Sequence, residues 1–130
     1  MFKINYSSDL PLYQQIVDQT KEALAGGLLA DGDKFPSVRE LSKSLSINQT
    51  TVSKAFKELD RLGLIETRPG IGTFVKIDEK SIETNRKKLS EKLADDFKEA
   101  VFLGFCLEEI EKIYKDVERS IYEDKSKRNI

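Results

Sequence analysis

From position 11 the apolar residues recur with a helical period. In LYQQIVDQTKEALAGG, opened by Pro11, Leu12, Ile16, Ala23 and Leu24 fall near one face, and Gly26-Gly27 stop the run. The stretch holding Asp31, Gly32, Asp33 and Pro36 reads as a loop. Ser37 with Glu40 three residues on is a capping box, which starts a second, short helix over VRELSKSLS. Ile47 and Asn48 make a tight connection. Asn48 then caps a third helix, QTTVSKAFKELDRLG, in which Val52, Ala55, Phe56, Leu59 and Leu62 form one stripe and Gly63 is the C-cap. Two helices joined by so short a turn predict a helix-turn-helix.

After Gly63 the period changes from helical to extended: LIETR, a tight RPGIG, then TFVKI. This predicts a β-hairpin directly after the third helix, which makes a winged helix. Gly70 and Gly72 let the wing tip turn sharply and pass close to another surface. Leu59, Leu62, Leu64, Ile65, Phe74 and Val75 are expected in the core, with Phe56 and Tyr13. From Asp78 onward the composition turns charged and helix-favouring. Ile82, Leu89, Leu93, Phe97, Ala100 and Val101 recur at threes, fours and sevens, as do Leu107, Ile110, Ile113 or Tyr114, Val117 and Ile121 after a break at Gly104. Two amphipathic helices are expected there, joined by a bend at Leu103 to Cys106. The fold class is mainly α with a small β-hairpin: a winged helix-turn-helix domain over 1–78, then a two-helix dimerisation region over 79–130.

A chain of 130 residues, 38% apolar and 35% charged, suits one ordinary folded domain with an appendage. The N-terminus has no signal-like apolar segment and no long uncharged apolar run follows, so a cytoplasmic protein without a membrane span is expected. With no histidine, a His-based triad, metal site or pH switch is excluded. No paired acid and base, metal-spaced cluster or nucleophile motif is visible, and the Gly-x-Gly precedes a strand where a nucleotide fingerprint would open a helix. Neither an enzyme nor a cofactor is expected. The net charge of -1 is unlike the basic footprint of a nucleic-acid binder, but its distribution changes the picture. Residues 36 to 57 hold Arg39, Lys43, Lys54 and Lys57 against only Glu40, while acidic pairs at Asp95-Asp96 and Glu108-Glu109 offset them. Cys106, the single cysteine, stands where a helix N-cap is expected; it reads as a small semi-buried thiol or as a redox- or metal-sensing one. The final DKSKRNI reads as a polar, frayed tail.

The run FPSVRELSKSLSINQTTVSKAFKELDRLGLIETRPGIGTFV resembles the DNA-binding domain of the GntR family of bacterial transcription regulators. The likeness lies in its PS-x-REL entry, TV-x-x-A-x-x-x-L recognition helix, GLI bridge and G-x-GTFV wing, and it extends back to PLYQQI. The short tail resembles that of the YtrA-type subgroup, which dimerises through it and lacks a large effector domain. The resemblance implies a repressor that binds an inverted-repeat, double-stranded DNA operator as a homodimer. It places Ser37 and Arg39 near DNA, although Ser37 also reads as a cap alone. It puts the first turn of the third helix in the major groove, making Asn48, Gln49, Thr50 and Thr51 contact candidates, followed by Ser53, Lys54 and Lys57. Gln49 or Asn48 can make a bidentate contact to adenine, while Thr50 and Thr51 position the helix on phosphates. Arg68, Gly70, Gly72 and Thr73 of the wing would meet the backbone or the adjoining minor groove.

Many family members carry arginine where this chain has Gln49 and Ser53, so fewer guanine-reading groups remain and a base preference richer in A·T is expected. The expected dimer interface comprises Leu89, Leu93, Phe97, Val101, Leu107, Ile110, Tyr114 and Val117. Two other readings stand beside this one: a tail folded back on its own winged helix as a monomer, and a winged helix that meets an acidic protein. The operator, the regulated genes and any small-molecule effector are not written in the chain.

Overall fold

The punctuation predicted from glycines becomes, in the structure, one motif used four times. The structure is a computed structural model describing residues 2–128. Four α-helices, α1 (Leu12–Ala25), α2 (Val38–Leu45), α3 (Gln49–Arg61) and α4 (Glu79–Phe102), each close with a residue at positive φ just past the last turn. There the next two backbone N–H groups turn back to the last carbonyls, as in Leu28 N to Ala23 O at 2.8 Å, Leu64 N to Leu59 O at 3.0 Å and Phe105 N to Ala100 O at 2.9 Å. Gly27, Gly63 and Gly104 take the left-handed position in three of them; in α2 it falls to Ser46, at φ 53.

Ser46 is the only non-glycine residue at positive φ among the described residues, and it is exposed. Its turn is held by Ile47 N to Ser42 O at 3.1 Å and by the Ser42 hydroxyl on Ile47 O. A side chain in this conformation costs about 1 kcal/mol that glycine does not. Ser46→Gly is therefore expected to match or raise the melting temperature, and Ser46→Val to lower it; thermal denaturation of the two variants checks this.

The hairpin forms as expected, with β2 (Ile65–Arg68) antiparallel to β3 (Gly72–Val75). A third strand, β1 (Lys34–Phe35), pairs with the free edge of β3 where a loop was expected. Two residues are too few to show alternation. What fixes them is Phe35, which is fully buried and meets Phe56 edge-on at 5.5 Å. The loop beside it is tied to the sheet through Gly32 N to Val75 O and Val75 N to Asp33 O, both 2.8 Å.

The core gathers Ile16, Val17 and Ala23 of α1, Leu41 of α2, the Val52-Ala55-Phe56-Leu59 stripe of α3, and Leu64, Ile65 and Val75 around the hairpin. Each large side chain buried here contributes roughly 1.5–3 kcal/mol. Thr20 is also fully buried, its hydroxyl donating to Ile16 O at 2.8 Å, and so escapes a reading based on apolar positions.

Asp78 caps α4, accepting from Lys80 N at 3.2 Å, so the tail helix begins where the domain boundary was expected. Its first two turns nevertheless rest on the winged domain. Ile82, read as the start of the tail stripe, packs against the core, and Asn85 Nδ2 donates to Leu62 O at 3.4 Å. From Leu89 to Phe102 the helix has no buried residue, and Leu89, Leu93, Phe97 and Val101 are all exposed. After the bend, α5 (Leu107–Arg128) returns past the end of α1, where Ala25 faces Tyr114, Val117 and Ile121 across a shallow groove. Cys106 is exposed, not semi-buried; its Sγ lies 3.3 Å from Glu109 Oε1, which also accepts its backbone N–H. Of the polar DKSKRNI end, Asn129 and Ile130 and every side chain lie outside the described residues.

Candidate nucleic-acid interface

The buried stripe of α3 fixes what its opposite face can do. With Val52, Ala55, Phe56 and Leu59 turned inward, the helical repeat turns Thr50, Lys54, Lys57 and Arg61 to solvent, flanked by Gln49 and Ser53. Asn48 precedes them as N-cap, accepting Thr50 N through Oδ1 at 2.6 Å. That bond takes one lone pair of the Asn48 oxygen and holds its amide against the helix start, whereas Gln49 is exposed beside it. The exposed end of α3 also carries the positive end of the helix dipole.

Ser37 caps α2, accepting Glu40 N at 3.1 Å, which accounts for the serine without any ligand. Arg39, two residues on, is exposed and makes no ion pair among the described residues; the same is true of Lys57. Arg61 differs. Its Nε and Nη2 both bond the Glu58 carboxylate, at 2.9 and 2.6 Å, and this fork holds the Glu58 carboxyl below its usual pKa while raising that of Arg61. The positive charge left uncompensated on α3 thus sits ahead of its last turn, at Lys54 and Lys57. Lys54 lies over the ring of Tyr13, Nζ 4.1 Å from the centroid, so Tyr13, expected in the core, is half-buried and supports a surface cation.

At the wing, Arg68-Pro69-Gly70-Ile71 is a tight turn closed by Ile71 N to Arg68 O at 3.0 Å. Gly70 has φ 74 and nothing within 4 Å of where a Cβ would stand, so its requirement is conformational, and the tip is open to an approaching surface. Ile71, at the tip, is 68% exposed.

Two expectations for the wing are exchanged. Thr73, expected at the DNA, is only 4% exposed; it pairs with Phe35 and Thr67, and its side chain points into the sheet's buried side. Phe74, expected in the core, lies on the outer side, half-buried, with Arg68 Cζ 4.8 Å from its ring centroid. Val75 is buried as expected, and strand alternation then turns Thr73 inward with it and Phe74 outward. The structure brings Arg39, Gln49, Thr50, Lys54, Lys57, Arg68 and Gly70 to the surface, with Ser53, Thr51 and Gly72 half-exposed.

No group of His, Cys, Asp or Glu among the described residues is arranged to hold a metal ion, and no described helix is long and apolar enough to cross a membrane.

Against known proteins, residues 12–75 match the model for bacterial regulatory proteins of the gntR family. Over 123 residues the chain is 37% identical to the HTH-type transcriptional repressor YtrA of Bacillus subtilis, covering 93% of this chain and 95% of that one. Its fold is similar to a solved structure of YtrA from Sulfolobus acidocaldarius, a GntR-family transcription factor, with TM-score 0.63, 32% identity and coverage of 91% and 97%. The winged part is similar, with TM-score 0.51 and 25% identity over 57% of this chain and 95% of the other, to the DNA-binding domain of AraR in complex with operator ORX1. The winged helix and the two-helix tail both lie within the likeness to the two YtrA proteins, and the chain belongs to the GntR family of transcription regulators, as a homologue of the repressor YtrA and not as an enzyme.

Proposed function

We propose that this protein is a cytoplasmic repressor that binds an inverted-repeat operator as a homodimer, placing α3 of each subunit in successive major grooves with the wings on the flanks. The observation that carries it is the outward face of α3: one amide free to read a base edge at Gln49, hydroxyls at Thr50 and Thr51, and Lys54 and Lys57 behind them, opposite a stripe with no exposure to spare. That the similar DNA-binding domain of AraR is solved in complex with an operator supports DNA as the partner of this fold. No small-molecule effector is assigned.

The tail supports the dimer. A compact monomer of 14.8 kDa exposes about 7,000 Å², whereas this chain exposes 9509 Å². Much of the excess lies along α4 and α5, where Leu93, Phe97, Val101, Leu107, Tyr114 and Val117 are exposed. The difference is of the size that an obligate homodimer buries. Residues 79–130 thus serve as the dimerisation region, although their first two turns belong structurally to the winged domain.

Selection from random duplex DNA at moderate salt is expected to enrich an inverted repeat of fixed half-site spacing; folded protein that enriches nothing would overturn the reading. On that operator Arg39→Ala is expected to weaken binding roughly 5- to 150-fold, about 1–3 kcal/mol for a lost base or phosphate fork. Melting temperature and dimerisation should not change, because Arg39 is exposed and makes no internal ion pair among the described residues.

A further inference from the structure

The register of the sheet places four side chains on its outer face. Lys34 of β1 pairs with Phe74, Phe74 pairs on its other edge with Glu66, and Arg68 pairs with Gly72. Strand alternation turns these positions away from Thr73 and Val75, which are buried. Gly72 adds no side chain to this face, and its neighbours lean over it: a Cβ there would lie 3.8 Å from the Phe74 ring and 4.0 Å from Lys34 Cε.

Arg68 meets the same ring, Cζ 4.8 Å from the centroid, and its Nε lies 3.4 Å from Glu66 Oε2. The Phe74 ring thus lies against one cation, Arg68, while a second, Lys34, is its pairing partner on the other neighbouring strand. The ring's electron-rich face favours an adjacent cation, and a guanidinium already held in place loses less freedom when it binds. Lys34 forms no ion pair among the described residues, so its charge is available to an anion. The cluster adjoins the Arg68-to-Ile71 turn and is continuous with the wing tip.

We propose that this outer sheet face is a phosphate-contact surface, in which Lys34 is a further DNA-contacting residue and Phe74 a positioning residue that holds Arg68 for the backbone. The proposal rests on the DNA-binding reading above. Lys34 reaches the wing only because β1 joins the sheet, and Phe74 serves because its ring lies outside.

The test measures binding of the full chain to the selected operator and to an unrelated duplex across a salt series, with melting curves for every variant. For Lys34→Gln the slope of log affinity against log salt should flatten by about one phosphate contact, on both duplexes alike. Phe74→Leu should weaken binding roughly three- to tenfold while Phe74→Tyr, which keeps the ring, binds as the wild type does. In an Arg68→Gln background Phe74→Leu should add nothing. A wild-type slope in Lys34→Gln overturns the contact, and a Phe74→Leu loss that persists without Arg68 overturns the positioning role. Failure of the wild type itself to bind either duplex would instead sink the DNA-binding reading.

Discussion

Aspartate at both Leu93 and Phe97 is expected to leave a folded winged helix that no longer dimerises, and to lower affinity for a paired operator by roughly 10²- to 10⁴-fold, the range set by linked half-sites. Both positions are exposed on α4, far along from the turns that touch the core. The charges therefore cost the monomer little and fall on the face proposed to meet a second copy, where two unpaired carboxylates would have to be buried. Sedimentation should give a monomer at concentrations where the wild type is a dimer. Affinity for a single half-site should stay near the wild-type value, which separates lost pairing from lost recognition. A double variant that still sediments as a dimer would remove α4 from the interface. Unchanged affinity for the paired site would show that half-site linkage is not what binding depends on.

The position of Ile82 decides how a deletion version of the same experiment must be made. Ending the chain at residue 78 removes Ile82 from the core edge and Asn85 from the Leu62 carbonyl, and so mixes a stability loss with the loss of pairing. Ending it at residue 88 keeps both contacts and removes the exposed stripe that begins at Leu89.

Much of this organisation was legible in the residues because the chain marks its helix ends chemically. Ser37, Asn48 and Asp78 cap as their side chains allow, and Gly27, Gly63 and Gly104 stand where left-handed backbone is needed. Ser46 was not legible, since serine gives no hint of positive φ. Strand β1 escaped because two residues carry no period, and what fixes it is contact with Phe2 and Phe56, distant in the chain. The exchange of Thr73 and Phe74 has a different cause. Hydrophobicity argues for burying the phenylalanine, but β3 also supplies Val75 to the core, and alternation forces Thr73 to the same side. Phe74 then finds its use outside, beneath Arg68. In the tail, the spacing of apolar residues was legible throughout, but not that Ile82 belongs to a different surface from Leu89, because periodicity gives the face and not the partner.

Gly63→Ala is expected to destabilise the winged domain by about 2–4 kcal/mol. Two costs add. At φ +77 an alanine carries about 1–2 kcal/mol of backbone strain. The new Cβ would also stand 2.6 Å from Ser81 Cβ and 3.0 Å from Asp78 Cβ, closer than carbon atoms tolerate. These neighbours are not flexible ends: Asp78 is the cap of α4, its N–H bonded to Gly63 O at 2.8 Å, and Ser81 Oγ donates to the cap's carboxylate at 2.9 Å. Relief must come from moving the first turn of α4, which also carries Ile82 out of the core edge. Thermal melting should fall by roughly 8–30 °C for a domain of this size. Ser81→Gly placed in the same chain should recover part of the loss by removing the closest atom, leaving the backbone strain and the contact with Asp78. A Gly63→Ala protein as stable as the wild type would show that α4 can shift without cost, and that the close packing at Gly63 does not set the direction in which the tail leaves the DNA-binding domain. If the loss appears as expected, surviving Gly63→Ala protein should prefer an altered half-site spacing in selection from random DNA, because in the proposed dimer the same turn that carries the strain would also set how far apart the two recognition helices stand.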